Sequence, residues 1–186
     1  MARVKGTVVV GSVAYLKERL GEQGYEKLLD TLSQEEAASL RFAVLQGHWY
    51  PFDLLLHLMA AAQGKVPLPP GRSLGWEMGR YTAETGLKTV YKVFFKVAET
   101  RYILKRATQL FSTYYDSGTM RVVESELHRA TVQVAGFDQP CVQFCDRAQG
   151  WMERVVELTG ARRVEMSHPQ CAARGDAFCE YRGRWA

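Results

Sequence analysis

At Tyr115 the periodicity of the chain changes, and no other feature constrains the fold as strongly. Upstream, apolar residues recur at helical spacing, as with Val13, Leu16 and Leu20 in SVAYLKERL. Downstream, TMRVVESEL (119–127) and RATVQVAGF (129–137) alternate and are rich in β-branched residues, the pattern of antiparallel strands with one buried face. CVQFCDRAQGWMERVVELTG (141–160) returns to a helical period, entered after Pro140 and closed by Gly160. ARRVEMSHPQC and FCEYRGRW, joined by an ARGDA turn, read as two more strands. The expected fold class is therefore α+β, with N-terminal helices packed on a C-terminal antiparallel sheet of β-β-α-β-β order. One domain over 1–186 is expected, with a mainly helical part (1–114) and a ββαββ part (115–186).

Within the helical part, Ser33 and Glu36 have the spacing of a capping box, in which hydroxyl and carboxylate each satisfy a free backbone N–H. Pro51 suits the first turn of FDLLLHLMAAAQ. VKGTVVVG (4–11) reads as a short strand or extended lead-in. GKVPLPPGR (64–72) reads as a loop between helices. Beyond it an apolar stripe includes Trp76, Tyr91, Phe94, Phe95 and Phe111.

At 47% hydrophobic and 24% charged, the chain can bury a core without a metal or disulfide to hold it. Its net charge of +4 is spread along the sequence rather than gathered on one helix or ribbon, so nucleic acid is not an expected partner. No apolar run is long enough to span a bilayer, and the N-terminus lacks a secretory pattern. The expectation is a cytoplasmic protein whose four cysteines are thiols or metal ligands rather than disulfides.

Those thiols form one constellation. A hairpin brings Cys171 and Cys179 close, His168 reaches them from three residues before Cys171, and Cys145 lies in the first turns of the preceding helix. Three sulfurs and an imidazole would make a closed tetrahedral site suited to structural zinc. The other reading of the same residues is a set of inert buried thiols.

The β-β-α-β-β tail with its Cys-x7-Cys hairpin and terminal aromatic strand resembles the 4-vinyl-reductase-like (V4R) ligand-binding domain, the sensor module of phenol- and xylene-responsive activators. Its superfamily includes the TRAPP vesicle-tethering small subunits and the haem nitric-oxide-binding domains. The front half, with VKGTVVVGSVAYLKERLG, GRYTAE and YILKRATQLFSTYYDSGTMRV, resembles a myxobacterial paralogous family of unknown function. The resemblance implies zinc ligands at Cys145, Cys171 and Cys179, with His168 where the sensors keep a carboxylate; Glu165 is the poorer candidate for that place. The His and Trp that anchor phenol in those sensors have no counterpart here, so phenol sensing does not carry over.

The resulting expectation is a non-enzymatic sensor with a small apolar ligand between helices and sheet and a zinc clamp on the C-terminal hairpin. His48, Trp49, Trp76, Tyr91, Phe94, Phe95 and Phe111 are the candidate ligand contacts. A homodimer and a downstream signalling protein are the expected partners. The alternative is a TRAPP-like dimeric scaffold without a diffusible ligand; an enzyme acting on a vinyl or tetrapyrrole substrate ranks last, for want of an acid/base or cofactor constellation. Haem is set aside, because a lone helical histidine such as His57, without a second porphyrin signature, is more often a core or boundary residue.

Overall fold

The computed structural model describes residues 1–90 and 100–186. The chain opens with β1 (Arg3–Lys5) and α1 (Gly6–Leu29), followed by α2 (Gln34–Arg41), β2 (Trp49–Pro51), α3 (Phe52–Ala62), α4 (Leu74–Val90) and α5 (Thr100–Tyr114). The sheet part follows as β3 (Thr119–Ser125), β4 (Arg129–Ala135), α6 (Val142–Leu158), β5 (Glu165–Gln170) and β6 (Phe178–Arg184). The α+β class and the β-β-α-β-β order both stand.

Strands β3 to β6 form one antiparallel sheet in the order β3-β4-β6-β5. Alternation decides which face is inward: Val132, Val134, Cys179 and Tyr181 are buried, while Arg182 and Arg184 are exposed. A ring cluster fills the space under the helices. Phe137 stacks on Phe144 at 4.4 Å, and Phe52 meets both edge-on at 5.0 and 5.4 Å. Phe111 and Tyr115, 5.0 Å apart, close the cluster from the end of α5.

The lead-in VKGTVVVG differs from expectation. Only Arg3–Lys5 is strand, paired with β2, and the valine run lies in the first turns of α1. Val8 and Val9 are buried there, and tertiary burial outweighs the β preference of branched side chains. Gly21 takes a φ of +68° inside α1 and breaks it where the sequence loosens. The N-terminus is tied to the start of the sheet: Asp116 accepts from the backbone N–H and Nε of Arg3, each at 2.6 Å.

The capping box forms. Ser33 Oγ accepts from the Glu36 N–H at 3.3 Å, and Glu36 Oε2 accepts from the Ser33 N–H at 3.1 Å. The other oxygen of Glu36 meets His57 Nδ1 at 2.5 Å, joining α2 to α3. Ser33→Ala should cost about 1 kcal/mol in urea denaturation at neutral pH. Hydrogen bonds from Ser33, then His57, hold the Glu36 carboxyl below the usual carboxylate range. This contribution is complete above that range and is lost as pH falls through the lowered value. Wild type and Ser33→Ala should therefore converge in stability in acid; a gap that persists undiminished there would contradict the carboxylate's part in the cap.

Helices α4 and α6 approach each other backbone to backbone. A Cβ built on Gly79 would lie 2.1 Å from the Arg147 carbonyl oxygen, one on Gly75 2.4 Å from that of Gln143, and one on Gly150 2.1 Å from that of Trp76. GWEMG (75–79) is thus a small-residue seam at i, i+4 spacing that lets two backbones touch. Beside it, Trp76 Nε1 donates to Glu153 at 3.2 Å, and Arg80 pairs with Glu157 through two bonds of 2.8 Å.

Candidate functional sites: a thiol cluster and an apolar cavity

The four ligand atoms of Cys145, His168, Cys171 and Cys179 lie within 4.8 Å of one another. Three features of the local sequence bring them there. The β5–β6 register slips between Ser167 and Gln170, leaving one extra residue on β5 at His168–Pro169. Proline cannot donate to a ladder, so a bulge is where a strand tolerates it. The bulge sets His168 against Tyr181, with ring centroids 4.3 Å apart and planes 13° from parallel. After Cys171 a single 3-10 turn (Ala172–Arg174) and Gly175, at φ +99°, reverse the chain. Asp176 ties that turn off by accepting from the Cys171 N–H at 2.7 Å. The RGD of the sequence is therefore a turn that places cysteines. Cys145 arrives from α6, whose N-cap is Cys141.

The sulfurs of Cys145 and Cys179 are 3.4 Å apart, and the Ala172 N–H donates to Cys179 at 3.3 Å. A thiol hydrogen bond from Cys145 holds Cys179 well below the usual thiol range, against the opposing effect of burial, and His168 and Ala172 assist. Cys145, which gives that bond from a buried position, is pushed up. A thiolate, the form that binds metal, is thereby favoured at Cys179. His168 Nε2 is buried with no hydrogen-bond partner, a cost that a ligand on that atom would remove. Tetrahedral zinc with three thiolates needs sulfurs about 3.8 Å apart, close to what the chain presents. The residues fit such an ion.

The second feature is a partly open cavity of about 130 Å³ where α1, α4, α5, β3 and α6 meet. Among the described residues its wall is mainly apolar and aromatic, with Val8, Phe111, Met120, Phe144 and Trp151 prominent. Its size is near the roughly 150 Å³ of a cavity that takes benzene. Arg147, on α6, also lines it, and its side chain is buried.

Of the expected ligand contacts, Phe111 is in this wall. Trp76 is instead in the α4–α6 seam, with the guanidinium carbons of Arg72 and Arg80 at 3.9 and 4.6 Å from its ring centre. Trp49 is half-buried on β2 under Lys5 Nζ at 4.5 Å, and His48 is exposed in the turn before it. Neither is among the residues of the wall. Tyr91, Phe94 and Phe95 lie outside the described residues. Arg147, Tyr115, Phe144 and Trp151 were not anticipated. One signal for Arg147 was present: it stands three residues after Phe144 and four before Trp151, a charge within the apolar register of α6.

No protein-family model matches the chain, and no curated protein matches it. Solved structures do. An H-NOX protein from S. oneidensis in the Fe(II)NO ligation state superposes with a TM-score of 0.74 at 11% identity, covering 98% of this chain and 99% of that one. The chain has the H-NOX fold. An oxygen-binding H-NOX domain related to soluble guanylate cyclases matches with a TM-score of 0.66 at 12% identity, over 97% of this chain and 94% of that one. A third structure, described for modulation of heme redox potential through protein-induced porphyrin distortion, matches at 0.70 and 11% identity over 97% and 94%. Of the families named by the sequence resemblance, the haem nitric-oxide-binding branch is the one these structures support, at the level of fold.

This corrects the treatment of haem. Setting it aside rested on the want of a porphyrin signature, yet solved structures with this fold are described with an Fe(II)NO ligation state and with heme, so haem is the cofactor the fold implies. His57, the histidine weighed for it, is exposed and paired with Glu36. None of the chain's four histidines is in the described wall of the cavity; the donors there of kinds known to hold haem iron are the phenols of Tyr114 and Tyr115 and the thioether of Met120. A histidine-ligated haem does not fit the described wall.

Proposed function

We propose that the chain is a non-enzymatic sensor module, taking a small, largely apolar molecule into the cavity between α1, α4, α5 and α6. Zinc on Cys145, His168, Cys171 and Cys179 would clamp the C-terminal hairpin. The observation that carries the reading is the cavity itself, a benzene-sized space with aromatic walls at a junction of helices and sheet, where ligand sites commonly form. Filling it would press α1 and α5 outward from α6, a movement a partner protein or a second copy could read. The H-NOX fold supports the sensory reading, since structures that share it are described in ligand-bound states. No helix among the described residues is long and apolar enough to cross a membrane.

Benzyl alcohol, a neutral ring, is a suitable probe. Calorimetric titration into the full chain should show saturable 1:1 binding. Ala148→Leu, which extends a wall residue into the space, should weaken it about tenfold or more while the protein stays folded. Equal binding by wild type and Ala148→Leu, or none by either, would sink the reading.

A further inference from the structure

We infer that the cavity is built for a small monocarboxylate with an apolar body, its carboxylate received by the guanidinium of Arg147. This rests on the proposed cavity function and names its ligand class.

Arg147 is 4% exposed, on the wall of a mainly apolar cavity. A buried cation is normally paired, because desolvation is costly and only a close counter-charge offsets it. Among the described residues Nη1 has no hydrogen-bond partner of good geometry, and the guanidinium's polar neighbours are both uncharged: the Thr82 hydroxyl, a long 3.5 Å from Nη2, and the Tyr115 phenol. The Thr82 hydroxyl already donates within α4, toward the Met78 and Gly79 carbonyls. The group that opposes burial's effect on Arg147 is the phenol of Tyr115, a half-buried residue whose own pKa is raised by desolvation. A neutral phenol does not balance a charge. Nearby carboxylates on α6 are committed elsewhere: Glu153 to Trp76 and Arg80, Glu157 to Arg80 and Arg154.

The fold thus leaves one fork of N–H donors, with a phenol beside it, facing an apolar space. A carboxylate matches that fork with two parallel bonds, and the Tyr115 hydroxyl can donate a third. Single charge meets single charge. A phosphate would bring up to a second charge and a third oxygen, for which the described wall offers no further cation. The volume, about 130 Å³, sets the body at one ring or a short chain.

The test is calorimetry on the full chain with benzoate, benzamide, phenyl phosphate and benzyl alcohol. Benzoate should bind about tenfold or more tightly than neutral benzamide, the margin of a charge-assisted bond over a neutral one. Arg147→Met, similar in length and without a charge to bury, should fold, keep benzyl alcohol and lose the benzoate preference. Arg147→Lys, a charge without the fork, should fall between. Benzamide or phenyl phosphate binding as tightly as benzoate would overturn the carboxylate assignment while leaving the sensor reading intact. So would a benzoate preference that survives Arg147→Met. Failure of all four probes, including benzyl alcohol, would bring down both.

Discussion

Gly79→Ala should lose about 3 kcal/mol of stability, the upper part of the usual range for overpacking. For a chain of this size that lowers the melting temperature by roughly 6 to 12 °C. A methyl group at this position would lie 2.1 Å from the Arg147 carbonyl oxygen and 2.8 Å from the Trp151 nitrogen, both backbone atoms that no rotamer change can move. The helices must separate by about an ångström to reach ordinary contact. Separation also strains the bonds from Trp76 and Arg80 to Glu153 and Glu157, whose partners would be left buried and under-satisfied. Because Arg147 and Trp151 line the cavity, small-molecule binding should fall with stability. Gly86→Ala is the control for stability, not for binding, since Gly86 lines the cavity: it lies on the same helix, a Cβ there meets none of the described residues within 4 Å, and alanine favours a helix by about 1 kcal/mol over glycine. Matching thermal melts for the two variants would show that the seam does not hold the helices as described.

What the sequence made legible was what depends on neighbours in sequence. The Ser33–Glu36 cap, the stop at Gly160 and the strands β3, β4 and β6 rest on short-range periodicity and backbone preference, and each formed, though a bulge at Val122–Glu124 interrupts the alternation of β3. The thiol cluster was also readable, because three of its four members belong to one hairpin and Cys145 enters from the helix that precedes it. The cavity was not. Its wall joins residues as distant as Val8 and Trp151, and nothing local marks Phe111 as wall and Trp76 as seam. Nothing in GWEMG itself marks a seam, since a close helix approach becomes visible only when the second helix is known. The valine run of α1 misled for the opposite reason: a local preference was plain, and tertiary burial overrode it.

Zinc removal is the other change expected to have a large effect. Protein purified in reducing, zinc-containing buffer should carry one zinc per chain, and Cys171→Ser or Cys179→Ser should reduce this well below one by elemental analysis. With free zinc about a thousandfold above its dissociation constant, binding adds about 4 kcal/mol to stability, so chelation should lower the melting temperature by roughly 8 to 16 °C. The effect should be local first. The ligands join α6 to the β5–β6 hairpin, so amide exchange should rise in β5 and β6 before α1 or α3 responds. His168 has a distinct part, because zinc on Nε2 gives a partner to an atom that is otherwise buried without one. His168→Ala should therefore weaken zinc yet cost zinc-free protein only its stacking on Tyr181, whereas Cys179→Ser should also remove the Cys145–Cys179 hydrogen bond that zinc-free protein makes. Two outcomes would end the zinc assignment. One is freshly reduced wild type without zinc. The other is a Cys145–Cys179 disulfide, mapped by peptide analysis, in protein taken from cells under thiol-trapping conditions.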